Sequence, residues 1–295
     1  MQVLYKKVFY KLKICYNRIG DAKMILEYKI KERILVKDFI NQTLSHNVLK
    51  VLNQAPCSYL VNDQNVKNYY ELAKGDTLRI VIPPVDTNVE PTKGELDIIY
   101  EDSYILVVNK PSNMATIPTR RYYKDSLANL VAYYYITKGI NEGVHIVGRL
   151  DYATSGLVVV AKGPVITELL KSHILKKEYL VEVEGHMNDA EVYSSIVRDE
   201  TSIIKRKNVE GTTAHTSFKL LEQKDTSSIM LATLHTGKTH QIRLHAQKSG
   251  HPVLGDELYG DASKNSLLHL HCYHLTIKHP ITNEIIELIS KSSWE

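Results

Sequence analysis

GRLDYATSGLVVVAKG, residues 148–163, places one carboxylate, Asp151, directly ahead of a Thr154-Ser155-Gly156 turn and an apolar run. The run, from Leu157, reads as a buried strand. Gly156 permits a tight turn, and the small hydroxyls of Thr154 and Ser155 can bond loop backbone. Such a turn can hold Asp151 rigidly at the edge of a core. A carboxylate there costs free energy unless it is paired or hydrogen-bonded. Asp151 is therefore either a cap on its own loop or a carboxylate kept for chemistry, and the rest of the chain decides between the two.

Outward from this stretch, strands come in runs with helices between them. A hairpin turning at Glu101-Asp102-Ser103 precedes it. SLANLVAYYYITKG (126–139) reads as a helix with Leu127, Leu130, Val131 and Tyr134 on one face and Gly139 as its stop. PVITELLKSHILKK (164–177) reads as a second helix. EYLVEVEG reads as a strand alternating Tyr179, Val181 and Val183 against Glu182 and Glu184. Further strands are expected at 214–221, 228–235, 267–277 and 284–289. THQIRLHAQKSG (239–250) reads as a short helix capped by Thr236 or Thr239 and closed by Gly250. Without a strict βαβ beat, this order argues an α+β fold around a mixed, largely antiparallel sheet.

Residues 24–84 form a separate small unit. LVKDFINQTL places Leu35, Phe39 and Leu44 on one side of a helix; a second helix starts at Ser45, with Val48, Leu49 and Leu52 apolar. A short strand at SYLVN follows, then a turn at Gly75-Asp76 into a strand alternating Leu78, Ile80 and Ile82. PPVDTNVEPTKGE (83–95) has three prolines and no periodicity, so 85–95 reads as a linker, with the second domain covering 96–295.

Bulk composition excludes several classes. The 295 residues are 43% hydrophobic and 24% charged, as in a globular protein, and no apolar run approaches a membrane span. Three cysteines without metal-like spacing suit a reduced, cytoplasmic setting. The net charge of +4 is uneven: six basic residues against Asp21 put +5 into residues 1–23 and leave −1 for the remainder. Phosphate partners must then be met by local basic patches. Lys11 and Lys13 break any signal-peptide core. Residues 1–23 read either as a basic arm for RNA or, more simply, as an extension outside the fold preceding a working start at Met24.

Two further stretches bear on Asp151. TGKTHQIRLHAQKSGHPVLGDELYG (236–260) carries Arg243 and His245 on the short helix, and Arg243 is a candidate partner for Asp151 by charge and geometry. KKEYLVEVEG brings Tyr179 onto an apolar strand face, where an aromatic ring is a platform for a planar base.

Together these stretches resemble the RluA family of RNA pseudouridine synthases. GRLDYATSGL is similar to the family's RLD-x-x-TSGL signature, and NKP (109–111), KKEYLVEVEG, TGKTHQIRLH, GHPVLGDELYG and LHLHCYHLTIKHPIT follow in the family's order over roughly 96–290. Residues 24–84 resemble the S4 RNA-binding module, though LSHNVLKVL offers only His46 and Lys50 as basic residues. The resemblance implies isomerisation of selected uridines in structured RNA, ribosomal or transfer, to pseudouridine. It implies Asp151 as the essential carboxylate, Tyr179 as the active-site tyrosine and Arg243 as the basic residue paired with the aspartate. Arg149 matches a residue associated with opening the RNA; Lys110, Thr154, His240 and Gln241 are carried over as substrate-binding. A flipped-out uridine can be attacked, or relieved of a proton, by one carboxylate without metal or redox cofactor. No membrane and no obligatory protein partner is implied. Gly148, Asn113 and Lys238 depart from the family's usual histidine, glycine and arginine.

The competing class is a non-catalytic RNA-binding or ribosome-assembly protein that keeps the fold; the intact Asp151, Tyr179 and Arg243 speak against it. HLHCYH (269–274) resembles a zinc ligand set, but strand alternation sends its donors to opposite faces. SIIKRKN (202–208) reads as an exposed loop, with phosphate contact as the lesser alternative.

Overall fold

In the computed structural model, which describes residues 10–16, 22–54, 56–85, 89–260 and 267–294, the apolar run after Asp151 is a central strand. Ser155–Ala161 is buried along its whole length, as Leu157, Val158, Val159 and Val160 require where both faces of a strand are covered.

The N-terminal part contains β1 (Tyr10–Tyr16), β2 (Ala22–Lys29), β3 (Ile34–Leu35), α1 (Val36–Thr43) and α2 (His46–Gln54). It continues with β4 (Ser58–Val61), β5 (Gln64–Val66), β6 (Glu71–Leu72) and β7 (Thr77–Ile82). Then come β8 (Asp97–Glu101), β9 (Ile105–Lys110), α3 (Leu127–Lys138), β10 (His145–Val147), β11 (Ser155–Ala161) and α4 (Pro164–His173). The rest is β12 (Ile174–Glu184), β13 (Ala190–Arg198), β14 (Arg206–Gln223), β15 (Ser227–Leu234), α5 (Gln241–Lys248), β16 (Leu270–Lys278) and β17 (Ile285–Ile289).

Among the described residues the large sheet runs β13-β14-β15-β12-β16-β11-β9-β8, with β10 on β11 and β17 on β16. Only β11 and β16 pair in parallel; the other pairings are antiparallel. The fold is thus α+β with a mixed, largely antiparallel sheet, as the order of elements implies.

The parallel junction positions the site. Gly156 stands opposite Cys272, which stands opposite Tyr179. At Gly156 φ is +112°, and a Cβ there would come within 2.4 to 2.8 Å of Cys272 backbone atoms. Only glycine lets the strands approach this closely. Two strand pairings therefore hold the Asp151 loop and Tyr179 at a fixed separation. Helix α4 packs over β10 and β11, and α5 over β13 and β14.

The smaller sheet has the order β1-β2-β7-β4-β5. Leu78, Ile80 and Ile82 are buried on β7, and the Val48 N–H donates to Ser45 Oγ at 3.4 Å at the start of α2. Residues 83–95 contain no helix or strand among those described, but they are fastened down. The Thr92 N–H donates to the Asn129 carbonyl at 3.1 Å, and Asn129 Nδ2 to the Glu90 carbonyl at 2.7 Å. Helix α2 lies against α4, Met24 Cε sits over Gly163, and the apolar cores of the two parts form one cluster.

Several sequence expectations are corrected. Residues 10–16 do not stand outside the fold: β1 pairs with β2 from Tyr10↔Tyr28 to Tyr16↔Ala22. In the sequence, YKLKICY alternates polar and apolar residues from Lys11 to Ile14, a pattern compatible with a strand. Residues 1–9 and 17–21 lie outside the described residues. The helix expected over 164–177 ends at His173, and Ile174 to Lys177 already belong to β12, where the β-branched Ile174 pairs with Ile277. The buried face of α3 carries Leu127, Val131 and Tyr135, not Leu130 and Tyr134; that of α1 carries Val36 and Ile40. The strand β13 carries no expectation from the sequence, and Arg206 to Asn208, read as loop, open β14.

Candidate active site

Asp151 stands where the chain is tied on both sides. Thr116 Oγ1 donates to the Leu150 carbonyl at 2.6 Å and accepts the Leu150 N–H at 3.2 Å. The Thr154 N–H donates to the Asp151 carbonyl at 3.2 Å and the Met114 N–H to the Tyr152 carbonyl at 3.1 Å. The backbone is held by these bonds, while the Asp151 side chain opens into a cavity of about 750 Å³. Among the described residues no donor lies within hydrogen-bonding distance of its carboxylate; His240 Nε2 is 3.7 Å from Oδ2. Burial holds His240 below its ordinary pKa, against the pull of Asp151.

Tyr179 lines the same cavity from β12 and is itself buried. Burial, then the neighbouring Cys272, pushes its phenol well above the ordinary range. It thus offers a neutral ring beside a carboxylate. Arg149, Lys177, Arg206 and Lys238 bring positive charge to the cavity wall, and Arg149 and Lys238 are exposed. A pocket holding an unengaged carboxylate, the buried Tyr179 ring and a cationic rim suits a planar base on a phosphate chain.

Arg243 lines the cavity but does not pair directly with Asp151, and that expectation is corrected. Its Nε donates to Asp256 Oδ2 at 2.7 Å and its Nη2 to Oδ1 at 2.6 Å. Charge and geometry alone suggest Asp151 as the partner of Arg243. The loop after α5 supplies a nearer one in GDELYG, and a bidentate fork takes the carboxylate that both nitrogens can reach. Burial opposes the charge of Arg243, but the hydrogen bonds and charge of Asp256 outweigh it and raise its pKa; Asp151 adds to this through space. Helix α5 begins at His240, in the left-handed region with φ 58°, and not at a threonine cap. The Tyr259 hydroxyl lies 2.7 Å from His240 Nδ1.

Residues 104–248 match the family model described as RNA pseudouridylate synthase. Over 93% of its length the chain is 36% identical to the uncharacterized RNA pseudouridine synthase YhcT of Bacillus subtilis (strain 168), 91% of which is covered. The chain belongs to the RluA family of RNA pseudouridine synthases. It is also 32% identical to ribosomal large subunit pseudouridine synthase C of Vibrio vulnificus (strain CMCP6), over 77% of this chain and 79% of that one. The solved structure of human RNA pseudouridylate synthase domain containing 1 superposes with a TM-score of 0.57 at 26% identity, covering 70% of this chain and 87% of that chain.

In this pseudouridine synthase the remaining sequence-selected residues divide by exposure. Arg149 is exposed at the cavity wall. Lys110 is fully buried and does not face the cavity. Its Nζ donates to the Pro111 and Met114 carbonyls, each at 2.8 Å, and to Tyr152 at 3.4 Å. Burial pulls Lys110 down to about 7, with the charge of Asp151 opposing. It braces the Asp151 loop from behind, so its place among substrate-binding residues is corrected. Gln241 lines the cavity, yet its amide is occupied by Thr236, Lys238, His215 and Thr216. Thr154 is buried at the cavity, and its hydroxyl has no partner among the described residues. Asp256, Lys177 and the Tyr122–Tyr152 pair carry no role in the sequence expectations, whereas Arg206 belongs to SIIKRKN, where phosphate contact is the lesser alternative. The basic-aromatic run TRRYYK (119–124) was the available signal for the tyrosine pair.

The histidines of HLHCYH are hydrogen-bonded to protein partners. In HLHCYH, His269 binds Glu182, His271 contacts Ser155 and Ser290, and His274 bridges Glu178 and Glu287. Among the described residues, Glu191, His215 and His235 bring ligand atoms within 4.8 Å of one another. The two imidazoles stack 4.0 Å apart at 13°, however, so near-parallel rings cannot both aim a lone pair at one ion. No helix among the described residues is long and apolar enough to cross a membrane.

Proposed function

We propose that Asp151 is the carboxylate through which this enzyme isomerises uridine, that Tyr179 is the ring against which the uracil lies, and that Arg243 acts from behind them. Uridine isomerisation in RNA is the activity of the family. A uridine in folded RNA must leave its stack to reach such a pocket. The observation that carries the assignment of Asp151 is its unengaged side chain. Its backbone is pinned on both sides, yet its oxygens keep their capacity for covalent attack or proton transfer. Arg243, fixed by Asp256, adds a permanent positive charge in the same cavity.

The substrate is ribosomal RNA in the cytoplasm, a reading supported by relatives named ribosomal large subunit pseudouridine synthases C and D. The basic wall of Arg149, Lys177, Arg206 and Lys238 meets its phosphates. Residues 24–84, S4-like in their helix pair and small sheet, add grip on the RNA. The test is a pseudouridine map of ribosomal and transfer RNA from cells lacking the protein, after treatment with the purified enzyme. Sites restored in ribosomal RNA by the wild type and not by Asp151→Asn are expected. Sites restored only in transfer RNA refute the substrate, and sites restored by Asp151→Asn refute the residue.

A further inference from the structure

Next to Asp151 the cavity carries a feature the chemistry of the carboxylate does not use. Tyr152 is 40% exposed although it lines the cavity. Its ring stacks on Tyr122 with centroids 4.6 Å apart and planes 20° from parallel. The guanidinium of Arg121 lies 5.4 Å from the centre of the Tyr122 ring. An exposed tyrosine of this size on a flexible loop would be unremarkable, but this one is anchored. Its carbonyl accepts hydrogen bonds from Met114 and Lys110, and its ring is backed by a second aromatic ring. The loop that supplies the backing is also cationic, with Arg120, Arg121 and Lys124 around Tyr122 and Tyr123.

We propose that Tyr152, backed by Tyr122 and Arg121, is a stacking platform for the base adjoining the target uridine, and so selects RNA in which that neighbour is unstacked. Asp151 and Tyr152 line the same cavity, so a nucleotide seated over Asp151 has its neighbour in the space that the Tyr152 ring borders. Extruding a uridine leaves its neighbours without a stacking partner on one face. An exposed, pre-ordered ring replaces that partner without reading base identity, because every base has a π-face. Arg121 supplies charge for the phosphate between the two nucleotides and supports the Tyr122 ring by a cation–π contact. Tyr152 is thus a binding residue, distinct from Tyr179, which lines the same cavity but is buried. The inference rests on Asp151 marking where the uridine is received.

The test uses the full-length enzyme and RNA from cells lacking it, with pseudouridine formation followed against RNA concentration. Tyr152→Phe and Tyr152→Trp are expected to match the wild type. Tyr152→Leu is expected to raise KM by about ten- to a hundredfold, the range of base–aromatic stacking, with kcat and melting temperature nearly unchanged. Tyr122→Leu, which removes the backing ring, should raise KM less. Equal behaviour of Tyr152→Leu and Tyr152→Phe overturns the proposal, as does a fall in kcat at unchanged KM, which would make Tyr152 a support for Asp151. Asp151→Asn run in parallel separates the two questions: if it keeps its turnover, the location of the uridine is wrong whatever Tyr152 does.

Discussion

Two aspartates share the electrostatic reach of Arg243 and are treated in opposite ways. Asp256, 1% exposed, accepts both guanidinium bonds and two further ones from the Leu258 and Tyr259 N–H groups at 2.9 and 3.0 Å. Asp151, with its side chain 31% exposed, has a pinned backbone and His240 3.7 Å away. A carboxylate that accepts four hydrogen bonds is a structural group: it fixes an arginine and a loop, and breaking it costs stability. A carboxylate held in place from the backbone side only remains available to react. The distinction sorts the neighbouring polar residues too, since Gln241 and Lys110 are engaged like Asp256, while Arg149 stands exposed at the cavity wall.

The largest expected effect on stability falls on the engaged member. Asp256→Asn keeps the shape but leaves the buried Arg243 without its counter-charge, which should cost about 3–5 kcal/mol in urea unfolding. A loss under about 1 kcal/mol would erase the contrast between the two sites. Acid should strike the same buried side. His245, on α5 between Ser194 and Thr216, is held by burial at about 4. Between the ordinary value of 6.5 and about 4 the unfolded chain binds a proton that the folded one does not, so stability should fall as pH drops through that window and level off below it. The size is about 3 kcal/mol, and a pH series on His245→Gln should lack that component; an unchanged pH dependence would place the acid sensitivity elsewhere. The smallest effect belongs to the rim. Arg206→Ala should weaken RNA binding severalfold and reduce the salt slope by about 1. An unaltered slope would remove Arg206 from the phosphate-binding wall.

What the sequence disclosed follows the same division. Strands with continuous or strictly alternating apolar residues, such as LVVVA and LRIVI, were legible because burial on one or two faces leaves a periodic trace. The Asp151 turn was legible because Gly156 and the small hydroxyls mark it. The Arg243–Asp256 pair was not. Charge complementarity says that an arginine wants a carboxylate but not which one, and the choice between residues 151 and 256 is made by the path of the loop after α5. The helix-to-strand change at Ile174 was hidden for a related reason. ILKK suits either element locally, and pairing with β16 decides. The α3 face was misassigned by one position because AYYYI is apolar on every side. Residues 10–16 are hard to place from sequence because Lys11 and Lys13 read equally as breaks in an apolar run or as the alternation of a strand, and pairing with β2 decides.

The contrast between the two aspartates is tested most directly by measuring turnover and melting temperature together on Asp151→Asn. Replacing an unengaged carboxylate with an amide removes a nucleophile and base without removing any hydrogen bond that holds the loop. Pseudouridine formation should fall by about three orders of magnitude or more, while the melting temperature stays within a degree or two of the wild type, or rises. A melting temperature that drops as far as that of Asp256→Asn, or a folded protein with near-normal turnover, would contradict the assignment of Asp151 as the group kept free for the reaction.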